Sequence, residues 1–261
     1  MRAQLEGSAA PPLRAKTMTS TYVPRQRAWS VSDLLAGVTS ADVTCSEQDL
    51  SAAEPRLWID LAAEWDARLL EAHIVDANRG FSAEFHAFLK VWAEDEEQHT
   101  EGLLRLYSLV TGEQEGSVLS RLRARVGDFR SVEPLLEGEF EVLVLLAYDE
   151  AMSTAGYGED IPFYRSLGPA SFGRLLRELK NDEAMHYRNA VELLVLAHSH
   201  RVEDVPSVVE RVVQFDEAQE EYRATFVLDH ATDQFDGAKM ERVGESVVRT
   251  IQRRMRRQLD R

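Results

Sequence analysis

The chain is poor in cysteine, proline and glycine, and each shortage excludes something. A single Cys, Cys45, in 261 residues leaves no disulfide framework and no thiolate cluster for zinc or iron–sulfur chemistry. Only 8 Pro and 14 Gly punctuate the chain, and no stretch alternates polar and apolar residues between turn signals, so strands are not expected. Long apolar runs are missing too. The longest, residues 142–148, is far short of the roughly 20 residues that span a bilayer. The opening MRAQLEGSAAPPLRAKTM has no apolar core and does not read as a secretory signal. It reads as a flexible leader over residues 1–27, ahead of one domain at 28–261 in a reducing cytoplasm. A surplus of positive charge is likewise absent. The net charge of −15 argues against general nucleic-acid binding.

What the chain has is helix. Ala, Leu, Glu and Arg dominate the interior of the sequence. A first long helix is expected from near Pro55 to Asn78-Arg79-Gly80, and a second from a Ser82 cap to Thr111-Gly112. A third runs from about Val132 to Thr154, where GYGEDIPFYRSLGP breaks the pattern, and a fourth from about Ala170 to Ser199. Two more fill 203–260, broken near 233–237. Two long antiparallel pairs predict an all-α fold, a four-helix bundle with extra N- and C-terminal helices.

One pattern occurs twice. Residues 95–99 read DEEQH and residues 182–186 read DEAMH. With 28 Glu and 7 His in the chain, chance gives fewer than one Glu-x-x-His, and two copies each preceded by Asp are a rare accident. Glu and His three apart share one helical face, so both side chains reach one metal ion. Each pair supplies only two ligands. A two-metal site in a bundle core needs a further Glu from each of the other two helices.

Residues level with one another in an antiparallel pair lie equally far from the turn. Reflecting Glu96 through Gly80 lands on Glu64, and reflecting Glu183 through 166–168 lands near Glu150. Glu150 also continues the apolar stripe Val142, Leu143, Leu146, where an acid requires a partner or a metal. Glu71, one heptad from Glu64, is the rival on the first helix. Glu64 is favoured over it, and with Glu96, His99, Glu150, Glu183 and His186 it makes up the candidate metal set. A ligating imidazole donates its second N–H to a carboxylate. By symmetry Asp95 would hold His186 and Asp182 would hold His99. Carboxylate and imidazole ligands without sulfur suit Fe or Mn, and open positions suit O₂ chemistry.

The segments WAEDEEQHTEGLLRLY (92–107), helix 3 with Glu150, and NDEAMHY (181–187) resemble the soluble acyl-acyl-carrier-protein desaturases of the ferritin-like di-iron superfamily. WSVSDLL (29–35) is similar to a region upstream of the bundle in that family. The resemblance implies a ferritin-like dimeric oxidoreductase with two Fe ions, Fe/Mn being the variant, that uses O₂ and an external, ferredoxin-like electron donor. It implies an acyl chain on an acyl carrier protein as substrate and loss of two hydrogens as outcome. A hydroxylase or N-oxygenase on the same scaffold is the alternative, and iron storage a more distant one. It also implies a hydroxyl residue beside the oxygen-binding face at Ser153, with Thr154 next to it. Helix-interior hydroxyls that bond the preceding turn are the plainer reading of both. Leu103 and Leu179 stand where sister families carry a radical tyrosine and a third histidine.

An acidic carrier protein or ferredoxin needs a basic dock on a chain of this charge. Residues 121–130 hold four Arg against one Asp, and residues 242–261 hold seven against two acids. Arg121, Arg123 and Arg125 are the first candidate and the tail is the second. Solvated helix faces are the plainer reading of both clusters.

Overall fold

The computed structural model describes residues 22–77, 79–218, 225, 226, 228, 230 and 236–261. Among these residues the only regular elements are helical. After a short α1 (Val31–Leu34), the core is built from α2 (Glu47–Asp76), α3 (Ala83–Thr111), α6 (Glu139–Leu167) and α7 (Ala170–Ala197). The connector between the two pairs carries α4 (Glu115–Arg123) and α5 (Glu133–Leu136), and α8 (Val205–Glu217) and α9 (Gly237–Leu259) follow α7. The fold is an all-α helical bundle. No described helix is long and apolar enough to cross a membrane.

Local chemistry explains most boundaries. Ser82 accepts from Phe85 N at 3.1 Å and starts α3, and Gly112, at φ 75, ends it in the left-handed region that glycine tolerates. Ser46 and Asp49 form a capping box that starts α2 at Glu47, eight residues before the expected start at Pro55. Pro55 sits inside the helix, where buried Ala53, Leu57 and Leu61 carry it through.

The larger departure is in α6. GYGEDIPFYRSLGP does not break the helix, which continues through Gly156, Gly158 and Pro162 to Leu167. A proline inside a helix costs about 3 kcal/mol. Burial of Tyr157, Tyr164 and Leu167 returns about 2 kcal/mol each, so packing wins over propensity. The leader boundary moves as well. Residues 22–27, expected to be flexible, lie against the bundle, while 1–21 fall outside the described residues. Tyr22 is buried and donates to Asn189 O at 3.1 Å, and Asn189 exchanges two further hydrogen bonds with the Arg25 backbone. Of the expected break near 233–237, residues 233–235 lie outside the described residues; α9 starts at Gly237 behind an Asp236 cap.

Two apolar clusters divide the bundle. One gathers Phe85, Phe88 and Trp92 of α3 with Leu143 and Leu146 of α6 and Leu193 of α7. The other gathers Leu57 and Leu61 of α2 with Leu103 and Tyr107 of α3 and Leu175 and Leu179 of α7. On every core helix the sequence passes from one cluster to the other across a short polar waist. That waist is the candidate site.

Candidate metal centre

At the waist, α3 contributes Glu96 and His99, α7 contributes Glu183 and His186, α2 contributes Glu64 and α6 contributes Glu150. All six are buried, with relative exposures of 4% or less. They form two sets, each of which could hold a metal ion. One is Glu64, Glu96, His99 and Glu183, and the other is Glu96, Glu150, Glu183 and His186. Within each set the ligand atoms lie within 4.8 Å of one another. Glu96 and Glu183 belong to both sets. Glu71 lies one heptad away from Glu64 and outside both sets.

The histidines define what the pocket demands. His99 Nε2 meets Asp182 Oδ2 at 3.2 Å, and His186 Nε2 meets Asp95 Oδ2 at 3.1 Å. The two pairs cross between α3 and α7 in opposite directions, so the helices run antiparallel about an approximate two-fold. With Nε2 engaged, Nδ1 of each ring faces inward. His99 Nδ1 lies 3.2–3.3 Å from oxygens of Glu64, Glu96 and Glu183. His186 Nδ1 lies 3.2–3.3 Å from oxygens of Glu96, Glu150 and Glu183. One ring nitrogen cannot donate to three oxygens. Glu96 Oε1 and Glu150 Oε2, both beside His186 Nδ1, have no hydrogen-bond partner in the structure. Buried carboxylate oxygens left in that state are costly, and a cation between nitrogen and oxygens removes the cost.

The two outer carboxylates are held alike. Trp92 Nε1 donates to Glu150 Oε1 at 2.6 Å, and Tyr157 Oη donates to Glu64 Oε1. In each Glu one oxygen is occupied by an aromatic donor and the other, Oε2, faces a histidine Nδ1. Neither donor was assigned a role from the sequence. Trp92 stood in the quoted α3 segment, and Tyr157 lay in the stretch expected to break the helix. Only helical spacing, seven residues on from Glu150, could have flagged Tyr157.

The aspartates are held from outside by the N-terminal strap, another feature the sequence reading missed. Gln26 Nε2 donates to Asp95 Oδ1 at 3.0 Å, Arg27 Nη1 to Asp182 Oδ1 at 3.2 Å, and Trp29 Nε1 to Asp182 Oδ2 at 2.5 Å. The Trp29 ring also stacks near His99, with centroids 6.3 Å apart.

The protonation pattern follows from crowding. Burial pushes Glu64 and Glu150 well above the ordinary glutamate value; neighbouring Glu96 adds to the rise at Glu64, while His186 partly opposes it at Glu150. Burial acts the same way on Glu96 and Glu183, but the histidine charges and hydrogen bonds outweigh it and hold both below that value. Burial would lower His99 and His186, yet the carboxylates around them raise both well above the ordinary imidazole value.

The other expected residues stand apart. Thr154 Oγ1 donates to the Glu150 carbonyl at 2.7 Å, and half-buried Ser153 lies in the turn after Glu150; neither belongs to the metal sets. The three arginines of the expected dock differ in their surroundings. Arg125 clamps fully buried Asp66 at 2.7–3.0 Å, and Arg121 pairs with Glu113 at 2.8 Å while its guanidinium lies over Trp58. Arg125 is thereby committed within the fold, whereas the Arg121 side chain stays 42% exposed beside its partners. Arg123 is exposed. Among the remaining histidines, His73, His198 and His230 pair with Glu133, Glu139 and Asp216, outside the waist.

Neither a scan against family models nor searches of curated proteins and of solved structures found a match for this chain.

Proposed function

We propose that this protein is an O₂-dependent di-iron oxidase, and that it removes two hydrogens from an acyl chain carried on an acyl carrier protein. The observation that carries the reading is the pair of inward-facing Nδ1 atoms. Each faces three carboxylate oxygens while its Nε2 is engaged by an aspartate, and two of the four glutamates are common to both histidines.

Oxygen and nitrogen donors without sulfur suit iron or manganese. Bound here, two such ions would supply the redox chemistry that turns O₂ into an oxidant for an unactivated C–H bond. The chain's own residues do the rest. Asp95 and Asp182 keep each Nε2 engaged, so Nδ1 is free to ligate. Trp92 Nε1 and Tyr157 Oη hold one oxygen of Glu150 and of Glu64, so each offers the pocket its other oxygen. The apolar clusters on either side exclude water, which protects a reactive site from side reactions. For desaturation, the substrate gives up two hydrogens, an external donor gives two electrons, two protons enter, and O₂ leaves as two waters.

The test is metal content followed by product mass. Purified protein is expected to hold two ions per chain. After reduction and exposure to O₂ with an acyl-carrier substrate, the acyl chain is expected to lose two hydrogens. Gain of an oxygen atom would instead assign a hydroxylase or N-oxygenase. A metal-free protein that cannot be loaded with iron or manganese would overturn the reading.

A further inference from the structure

Three guanidinium groups from three parts of the chain converge on one oxygen. Arg25 of the strap, Arg188 of α7 and Arg254 of α9 lie 3.2, 3.3 and 3.5 Å from Glu192 Oε1. Their side chains stay 45%, 51% and 35% exposed. One carboxylate cannot balance three cations, and exposed Arg253 and Arg257 stand on the same helix as Arg254. A net positive surface thus sits on a chain of net charge −15. Elsewhere that charge would repel an acidic partner; here it would attract one.

The patch adjoins the metal centre. Arg25 directly precedes Gln26 and Arg27, which bond Asp95 and Asp182, and its backbone is fastened to Asn189, three residues past His186. Gln26 is exposed and Arg27 partly so, hence a single layer of side chains separates solvent from the outer ends of both His–Asp pairs. The strap seals this face. An acyl chain could not pass without displacing it, whereas an electron needs only the short distance.

We propose that the surface formed by Arg25, Arg188 and Arg254 docks an acidic one-electron carrier protein that supplies the metal centre. The proposal rests on the oxidase reading above, in which two electrons come from outside. Each docked carrier would be oxidised by one electron and the centre reduced by one, so two dockings serve one turnover.

The experiment measures binding of two probes to the full-length protein, an acidic plant-type [2Fe–2S] ferredoxin and an acyl carrier protein. The variant R25Q/R188Q/R254Q is expected to weaken ferredoxin binding about tenfold or more at low salt and to flatten its salt dependence. Acyl-carrier affinity is expected to hold. E192Q, which removes the opposing charge, is expected to tighten ferredoxin binding, and R123E to leave it unchanged. Metal content of the triple variant is read alongside, since among the described residues those side chains form ion pairs with Glu192 and not with the residues of the metal centre. Unchanged ferredoxin affinity in a protein that still holds two ions would overturn the dock and leave the oxidase reading standing. Loss of acyl-carrier affinity alone would overturn the assignment of the partner. A chain that takes up no metal would overturn the oxidase reading separately.

Discussion

Asp182 joins His99 and Trp29 through a single oxygen: its Oδ2 lies 3.2 Å from His99 Nε2 and 2.5 Å from Trp29 Nε1. The carboxylate therefore fixes the imidazole from one side and is itself fixed from the other. Asp182→Asn keeps the shape and removes the charge. Metal affinity, read by competition with a chelator, is expected to fall about 10–100-fold, and Asp95→Asn should act alike through His186. Wild-type affinity in both variants would rule out this role for the aspartates.

Trp92 and Tyr157 make a paired prediction. Tyr157→Phe removes the donor to Glu64 Oε1, and Trp92→Phe removes the donor to Glu150 Oε1. Each freed oxygen can turn toward the metal or remain buried without a partner, at a cost of about 1–3 kcal/mol. Metal-loaded samples are expected to show a changed ligand-field spectrum in each variant while the fold persists by circular dichroism. Spectra identical to wild type would show that these donors do not set carboxylate orientation.

Metal uptake should release protons. Glu64, Glu150, His99 and His186 all hold protons more tightly than free side chains do when metal is absent. Those protons must leave before the ligand atoms can bind an ion. The sign follows: affinity is expected to rise with pH and to fall as pH drops through neutrality. Calorimetry in two buffers of different ionisation enthalpy would measure the release. Uptake without net release would contradict the assigned ligands.

Asp66 and Arg125 test how the connector is anchored. Asp66 is fully buried and Arg125 meets it with two nitrogens at 2.7–3.0 Å. Arg125→Ala removes the guanidinium that pairs with this buried carboxylate and is expected to cost about 3 kcal/mol in chemical denaturation. Exposed Arg123→Ala is expected to stay within about 0.5 kcal/mol of wild type. Equal small effects would return Arg125 to the free surface.

Asp216, buried on α8, makes a prediction about acid stability. It accepts from Tyr148 Oη at 2.8 Å and from His230 N at 3.0 Å, and its Oδ2 lies 3.0 Å from His230 Nδ1. Burial would raise its carboxyl, but the His230 charge and these hydrogen bonds outweigh burial and hold it below the ordinary aspartate value. A depressed folded value stabilises above the unfolded value, near 3.9, and that stability fades as pH falls through the folded one. Asp216→Asn is therefore expected to cost about 1–3 kcal/mol at neutral pH, with the gap to wild type closing below about pH 4. A constant gap across that range would exclude this linkage.

The waist was legible because its rules are local. Glu96 and His99, and Glu183 and His186, share helical faces by spacing alone. Hairpin reflection carried that spacing to Glu64 and Glu150, and the structure gathers all six. The same two-fold paired each aspartate with the opposite histidine. Helix ends at Ser82 and Gly112 were likewise written in a few adjacent residues. What tertiary structure alone decided are contacts between residues far apart in the chain. Trp92 reaches Glu150 across 58 positions, Tyr157 reaches Glu64 across 93, and Trp29 reaches Asp182 across 153. No local pattern marks such pairs, because either partner alone is an ordinary aromatic or acid. The course of α6 through Pro162 was hidden for the same reason. Propensity is summed along the chain, but the burial that overrode it at Tyr157 and Tyr164 comes from helices packed around it.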